Sequence, residues 1–187
     1  SAFLKIKKGS YSFLLESAEQ EERTGRYSFL GTSPDFTVKG KGKEAEIYNN
    51  LTGERKKLVS DNPTGVIDRI LQENRAPSYP SLPGFSGGLI GYFSYDFVRQ
   101  IEHLPDTLKD DISCPDFFFM FAGDMVVFDH FKRKITLISN VAVQNFKSPR
   151  DAYDNGIERL TSLKKKIEKS LFLVEPQENR EEQEFES

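Results

Sequence analysis

The chain has 187 residues, of which 37% are hydrophobic, with 16 Phe and no Trp. This is enough to bury one sizeable core and excludes a disordered polymer. The formal net charge of -3 gives no reason to expect nucleic acid or an anionic membrane as a partner. A single cysteine excludes an internal disulfide, and no apolar run reaches the roughly 18 residues of a spanning helix, so we expect a cytoplasmic protein.

The stretch 12–30 contains two apolar runs around a charged excursion, which predicts two neighbouring strands. Glu16 and Ser17 stand at the end of the first run. Because an unpaired buried carboxylate is costly, Glu16 must reach solvent, pair with Arg23 or Arg26, or await the ammonium of a ligand. Polar groups at the end of a strand, backed by an apolar core, are typical of small-molecule sites.

Residues 35–60 alternate in the manner of strands and predict a small antiparallel meander. A Gly-Lys-Gly-Lys turn at 40–43 could hold a phosphate, but a plain hairpin turn fits better because no helix opens there. A helix is predicted over 62–74, with Asn62 as its cap and Pro63 at its first position.

The segment 84–88 reads Gly-Phe-Ser-Gly-Gly and matches the nucleophile elbow of hydrolases around Ser86. An elbow needs a buried strand before the serine and a helix after it. Here a proline-rich loop precedes it and an apolar strand over 89–95 follows. His103 and His130 are the only histidines, and both are better explained as exposed residues of connections. The glycines instead indicate close backbone packing in a sheet.

The most apolar part of the chain, residues 117–143, predicts a second three-stranded meander, whose first strand is buried on both faces. A helix is predicted over 148–171, begun by a capping box at Ser148. The fold class is therefore α+β: two antiparallel sheets, packed like a sandwich, with flanking helices. The last 14 residues, 174–187, contain six Glu and predict an acidic linker.

Three motifs together carry a family resemblance: Leu14–Ser17 (LLES), Gly25–Phe29 (GRYSF) and Gly87–Asp96 (GGLIGYFSYD). In sequence and spacing they resemble the amino-terminal domain of anthranilate synthase component I, in the chorismate-utilising enzymes. The resemblance implies a regulatory domain over 1–173. It also implies that the linker leads to a chorismate-binding catalytic domain absent from this chain, which would make the chain part of a larger two-lobed fold.

The resemblance also implies a function. The parent enzyme would convert chorismate to anthranilate in tryptophan biosynthesis, a lyase reaction that uses ammonia from a glutamine amidotransferase subunit. Its Mg²⁺ and chorismate ligands would lie in the absent domain, so this chain is expected to carry no catalytic or metal-binding residues and to be inactive alone. L-Tryptophan, the allosteric feedback inhibitor, would be bound by Leu15, Glu16, Ser17 and Arg26, the last with a possible one-residue shift.

Three alternatives remain open at this point. In the first, the parent is aminodeoxychorismate synthase of folate synthesis, although the intact Leu-Leu-Glu-Ser motif favours anthranilate synthase. In the second, the chain serves as a docking module for the amidotransferase subunit. In the third, Glu16 and Ser17 simply end a strand, with the carboxylate satisfied by the protein itself.

Overall fold

A computed structural model of the chain describes residues 2–16, 25–102, 104 and 112–169. Within these residues nine strands form two antiparallel sheets, which confirms the predicted α+β class. The strands are β1 (Ser12–Glu16), β2 (Tyr27–Thr32), β3 (Phe36–Lys41), β4 (Glu44–Asn49), β5 (Arg55–Val59), β6 (Leu89–Phe93), β7 (Phe117–Phe121), β8 (Asp124–Asp129) and β9 (Lys134–Ser139).

The helices are α1 (Ala2–Ile6), α2 (Pro63–Glu73) and α3 (Pro149–Glu168), with short 3₁₀ turns at Tyr95–Gln100 and Val143–Asn145. Both long helices begin where the sequence predicts. The Asn62 side chain accepts a hydrogen bond from a backbone N–H at 2.9 Å, and Ser148 does the same at 3.2 Å. Helix α1 was not predicted, because five residues show no periodic pattern and depend on tertiary packing. No helix in the described ranges is long and apolar enough to cross a bilayer.

Each sheet joins strands that are distant in sequence. The first sheet has the order β1-β2-β8-β9, and the second has the order β5-β4-β3-β7-β6. The predicted meander over 117–143 is therefore wrong as a single unit: β7 pairs with β3 and β6, whereas β8 pairs with β2. The chain changes sheet at residues 122–123. The change of sheet places β8 in the interior, where Met125, Val126 and Val127 are at most 1% exposed.

Three apolar clusters hold the layers together. Ile6 and Leu163 pack α1 and α3 against Leu30 and Val126 on one face of the first sheet. The other face of that sheet packs on the second sheet through a cluster that includes Phe13, Met125 and Val127 from the first sheet and Ile90 and Met120 from the second. Helix α2 covers the outer face of the second sheet, where Val66, Ile67 and Ile70 meet Val38 and Phe117. The layers therefore stack in the order α1 and α3, first sheet, second sheet, α2.

Strand β7 packs on both of its faces, as predicted, but its middle is less buried than expected. Phe117 and Phe121 are 1% and 7% exposed, whereas the three residues between them are half-buried. Its neighbour β6 forms the edge of the sheet and pairs with β7 along its whole length.

Candidate functional site

Polar side chains collect at one end of the first sheet, where β1, β2 and β8 lie side by side. Glu16, the last residue of β1, lies opposite Ser28 of β2. Strand β2 pairs in turn with β8, so that Tyr27 lies opposite Asp129, and His130 follows directly. The pairing thus brings two carboxylates, a hydroxyl and an imidazole to one end of the sheet. Because successive side chains alternate, Glu16, Ser28 and His130 lie on one face there, and Asp129 lies on the other face with Tyr27.

Glu16 reaches solvent, one of the three outcomes that the sequence left open. Its side chain is exposed, and Oε1 accepts a long hydrogen bond of 3.4 Å from the hydroxyl of Ser28. Ser28 is only 4% exposed, and its Oγ lies 2.7 Å from Nε2 of His130. An ionised carboxylate can accept several hydrogen bonds, so Glu16 has the capacity for a further donor from solvent, such as an ammonium group.

Arg26 does not pair with Glu16, so the predicted pairing with Arg26 is wrong, whereas Arg23 lies outside the described residues. Its Nη2 lies 2.7 Å from a carboxylate oxygen of Asp129, and its Nε lies 3.1 and 3.2 Å from the two oxygens. The guanidinium also lies over the ring of Tyr27, 4.8 Å from the centroid. The hydrogen bonds from Arg26, helped by the backbone N–H of Lys132, lower the pKa of Asp129 to about 2.

Leu15 lies on the opposite face of β1 from Glu16, because successive side chains of a strand alternate. Leu14 and Leu15 are 40% and 44% exposed, so only Phe13 of this apolar run is buried, at 8%. Strand β1 is an edge strand, and its outer side has no neighbour among the described strands. Ser17 lies outside the described residues, so its part in a site stays a prediction.

Sequence reasoning missed the parts that Ser28, Asp129 and His130 take in this cluster. The exposure predicted for His130 is confirmed. Its contact with Ser28, however, joins residues 102 positions apart. A signal was present in Arg26 directly before β2, Ser28 within β2, and the adjacency of Asp129 and His130. It could be read only once β2 was known to pair with β8.

The hydrolase alternative has no support among the described residues. Strand β6 follows Ser86 where an elbow needs a helix, and the backbone carbonyl of Ser86 accepts a hydrogen bond of 2.8 Å from the side chain of Asn140. His130 contacts Ser28 instead, and His103 lies outside the described residues. The motif is a packed loop beside the sheet.

The phosphate alternative for the turn at 40–43 also lacks support. The N–H of Gly42 donates to the carboxylate of Asp116 at 2.7 Å, so an acidic group occupies the position that a phosphate would need. Strands β3 and β4 pair on both sides of this turn, which confirms the predicted hairpin.

The described residues contain no group of three or more His, Cys, Asp and Glu side chains that could hold a metal ion. Two clefts are formed by described residues, one of about 380 Å³ beside β3, β4 and β5 and one of about 190 Å³ beside the 86–88 loop. Neither is lined by Leu15, Glu16 or Arg26.

Comparison with known proteins identifies the class to which this fold belongs. Residues 10–187 match the model of the chorismate binding enzyme family, and the chain belongs to that family. Its relatives include anthranilate synthase component 1 of Acetivibrio thermocellus, 35% identical over 167 residues that cover 89% of this chain and 33% of the relative. The probable anthranilate synthase component 1 of Schizosaccharomyces pombe is 34% identical, with coverage of 89% and 31%.

A solved structure agrees with these relatives. The crystal structure of anthranilate synthase component I from Streptococcus pneumoniae TIGR4 is 25% identical, with a TM-score of 0.52, and the match covers 87% of this chain and 34% of that one. The resemblance predicted from the three sequence motifs is thus confirmed. The chain spans about a third of the length of the relatives it matches.

Proposed function

We propose that the chain is the amino-terminal, tryptophan-binding regulatory portion of an anthranilate synthase component I. The observation that carries the proposal is the exposed carboxylate of Glu16 beside the buried hydroxyl of Ser28, at the end of an apolar sheet. The relatives' name supports it, because anthranilate synthases produce a precursor of tryptophan. An inhibitor site on such a chain would let tryptophan, the end product, inhibit an enzyme of its own biosynthesis.

The arrangement suggests a role for each residue of the proposed site. Glu16 would accept hydrogen bonds from the ammonium group of tryptophan, since charge-assisted hydrogen bonds are the stronger kind. Ser17 and Arg26 would donate to the carboxylate of the ligand. The described contacts of Arg26 with Asp129 use Nε and Nη2, so the ligand would be received by Nη1. Leu15 would contribute backbone groups and a half-exposed apolar side chain.

The parent reaction belongs to the same proposal. The longer protein would convert chorismate to anthranilate with ammonia from a glutamine amidotransferase subunit, to which this chain would offer a docking surface. Following the family resemblance, we assign the Mg²⁺ of the parent and its chemistry to another segment. This chain, incubated with chorismate, ammonium and Mg²⁺, should form no fluorescent anthranilate, and formation of anthranilate would contradict the assignment.

Inhibition would require that tryptophan bind one arrangement of the parent's domains more tightly than another. A ligand with equal affinity for both arrangements would change nothing. The cluster on β1, β2 and β8 is suited to this role because its polar groups lie at the rim of the sheet, where a second segment could complete the pocket. The named relatives favour anthranilate synthase over aminodeoxychorismate synthase as the parent.

Calorimetric titration of L-tryptophan tests the site. Glu16→Gln should weaken binding at least about tenfold, because it removes the charge that receives the ammonium. Glu54→Gln is the matched control, since Glu54 is also exposed but belongs to the loop before β5, and it should leave the affinity unchanged. Equal affinities for wild type and Glu16→Gln would remove the proposed site.

A further inference from the structure

We propose that His130 is a positioning residue for the ligand's ammonium group, acting on Glu16 through the hydroxyl of Ser28. The inference rests on the proposed function and adds a residue that the three sequence motifs do not contain. His130 follows β8, whereas Glu16 ends β1, and only Ser28 of the intervening strand β2 lies between them. The side chains of His130, Ser28 and Glu16 are thus connected by two consecutive hydrogen bonds.

The hydroxyl of Ser28 has a single proton and two neighbours that can accept it. Its Oγ lies 2.7 Å from Nε2 of His130 and 3.4 Å from Oε1 of Glu16. If Nε2 carries a proton, the imidazole donates to Oγ, and the Ser28 proton is free to point at Glu16. If Nε2 is bare, it takes the Ser28 proton and Glu16 loses its donor. The tautomer of His130 therefore determines whether the hydroxyl of Ser28 donates a hydrogen bond to Glu16.

Several contacts hold His130 in place. Its backbone N–H donates to the carbonyl of Arg26 at 2.9 Å. Its ring lies nearly parallel to the ring of Phe128, with centroids 6.5 Å apart and an angle of 13° between the planes. The preceding residue, Asp129, is fixed by Arg26. A ring held in this way can orient Ser28 although His130 itself is exposed to solvent.

The consequence for recognition is preorganisation of the carboxylate. Ser28 is 4% exposed, so water cannot readily replace His130 as its partner. A Glu16 side chain whose Oε1 is held by Ser28 loses less conformational freedom when its other oxygen binds an ammonium group, which strengthens binding. The effect should be confined to ligands that carry the ammonium group, because the indole and carboxylate contact other residues.

Two ligands and three substitutions test the inference. L-Tryptophan and indole-3-propionate differ only in the ammonium group, so the ratio of their dissociation constants measures its recognition. His130→Leu removes the donor and should reduce the affinity for tryptophan several-fold while leaving indole-3-propionate unchanged. His130→Gln replaces the ring nitrogen by an amide N–H donor and should restore most of the preference. Ser28→Ala should match His130→Leu, and the double variant should lose no more than either.

The possible failures are distinguishable. If Glu16→Gln abolishes the preference for tryptophan but both His130 variants keep it, the inference is overturned and the proposed function stands. If Glu16→Gln itself keeps the preference, the proposed function falls. Long-range ¹H–¹⁵N spectra give a second readout that needs no variant: they should show the proton of neutral His130 on Nε2. A bare Nε2 would overturn the inference independently of any effect of the substitutions on folding.

Discussion

Arg26 and Asp129 form an ion pair in which both members belong to the candidate site. The pKa of Asp129 is lowered to about 2 from an ordinary 3.8, mainly by the hydrogen bonds from Arg26. A carboxyl group whose pKa is lower in the folded state stabilises the fold above its unfolded pKa, and this stabilisation is lost as the pH falls through the folded value. The ion pair should therefore contribute its full stabilisation of the fold at neutral pH.

Asp129→Asn tests this contribution, because the amide has nearly the same shape but does not titrate. The free energy of unfolding of wild type should exceed that of the variant by a constant amount above about pH 5. Between about pH 4 and pH 2 the difference should shrink, because the unfolded carboxyl group takes up its proton first. Urea denaturation at a series of pH values measures it. A difference that stays flat down to pH 2 would show that Arg26 does not depress the pKa.

At the residue scale, the sequence could predict Glu16 but not the groups around it. A carboxylate after an apolar run is visible in a local window, and so is its need for a partner. That its neighbour is Ser28 and that Arg26 binds Asp129 depend on which strands pair. Glu16 and Ser28 are 12 positions apart, but Arg26 with Asp129 and Ser28 with His130 are 103 and 102 positions apart, and no local pattern encodes those two contacts.

At the scale of elements, one side chain fastens α3 to the strands. Arg159 donates from Nη1 and Nη2 to Asp35, just before β3, at 3.0 and 2.9 Å, and from Nε to Asp124, the first residue of β8, at 2.9 Å. Its side chain is only 19% exposed. Burial by itself lowers the pKa of Arg159, but the hydrogen bonds to the two carboxylates outweigh burial and leave the pKa raised. The guanidinium thus stays charged where the chain passes from one sheet to the other.

Arg159→Met should reduce the free energy of unfolding by roughly 2–3 kcal/mol, because it leaves two half-buried carboxylates without their cation; partial exposure keeps the loss below that of a fully buried pair. Arg150→Met is a matched control in the same helix. Arg150 pairs with Asp154 at 3.0 Å on the exposed side, so its loss should cost at most about 0.5 kcal/mol. Chemical denaturation compares the two, and equal losses would contradict the fastening role of Arg159.

The sequence predicted elements better than their assembly. Helices α2 and α3 carry their start signals at Asn62 and Ser148, and the meander β3-β4-β5 carries its alternation and turns within 26 residues. In the observed arrangement β8 lies in the first sheet, where Val126 and Val127 are buried on opposite faces, and β7 lies in the second sheet. That choice depends on strands far away in sequence, so adjacency along the chain suggested the wrong meander.

At the scale of the whole molecule, the fold offers a rigid double sheet and an open polar rim. The chain spans about a third of its relatives, and its chorismate-binding family is shown by a match over most of its length. The rim formed by Glu16, Ser28 and His130 lies where β1, β2 and β8 meet, and β2 and β8 contribute side chains to the apolar clusters on both faces of their sheet. Regulation through this rim requires first that tryptophan bind there.

Backbone amide chemical shifts of the chain, recorded during a titration with L-tryptophan, test the Glu16 site most directly. The largest changes should fall on Leu15, Glu16 and Ser28, with smaller ones at Arg26 and His130, and should disappear in Glu16→Gln. The amides of β4 and β5 at the far edge of the second sheet should not move. Saturable changes confined to β4 and β5, or none at the end of β1, would contradict a tryptophan site at Glu16.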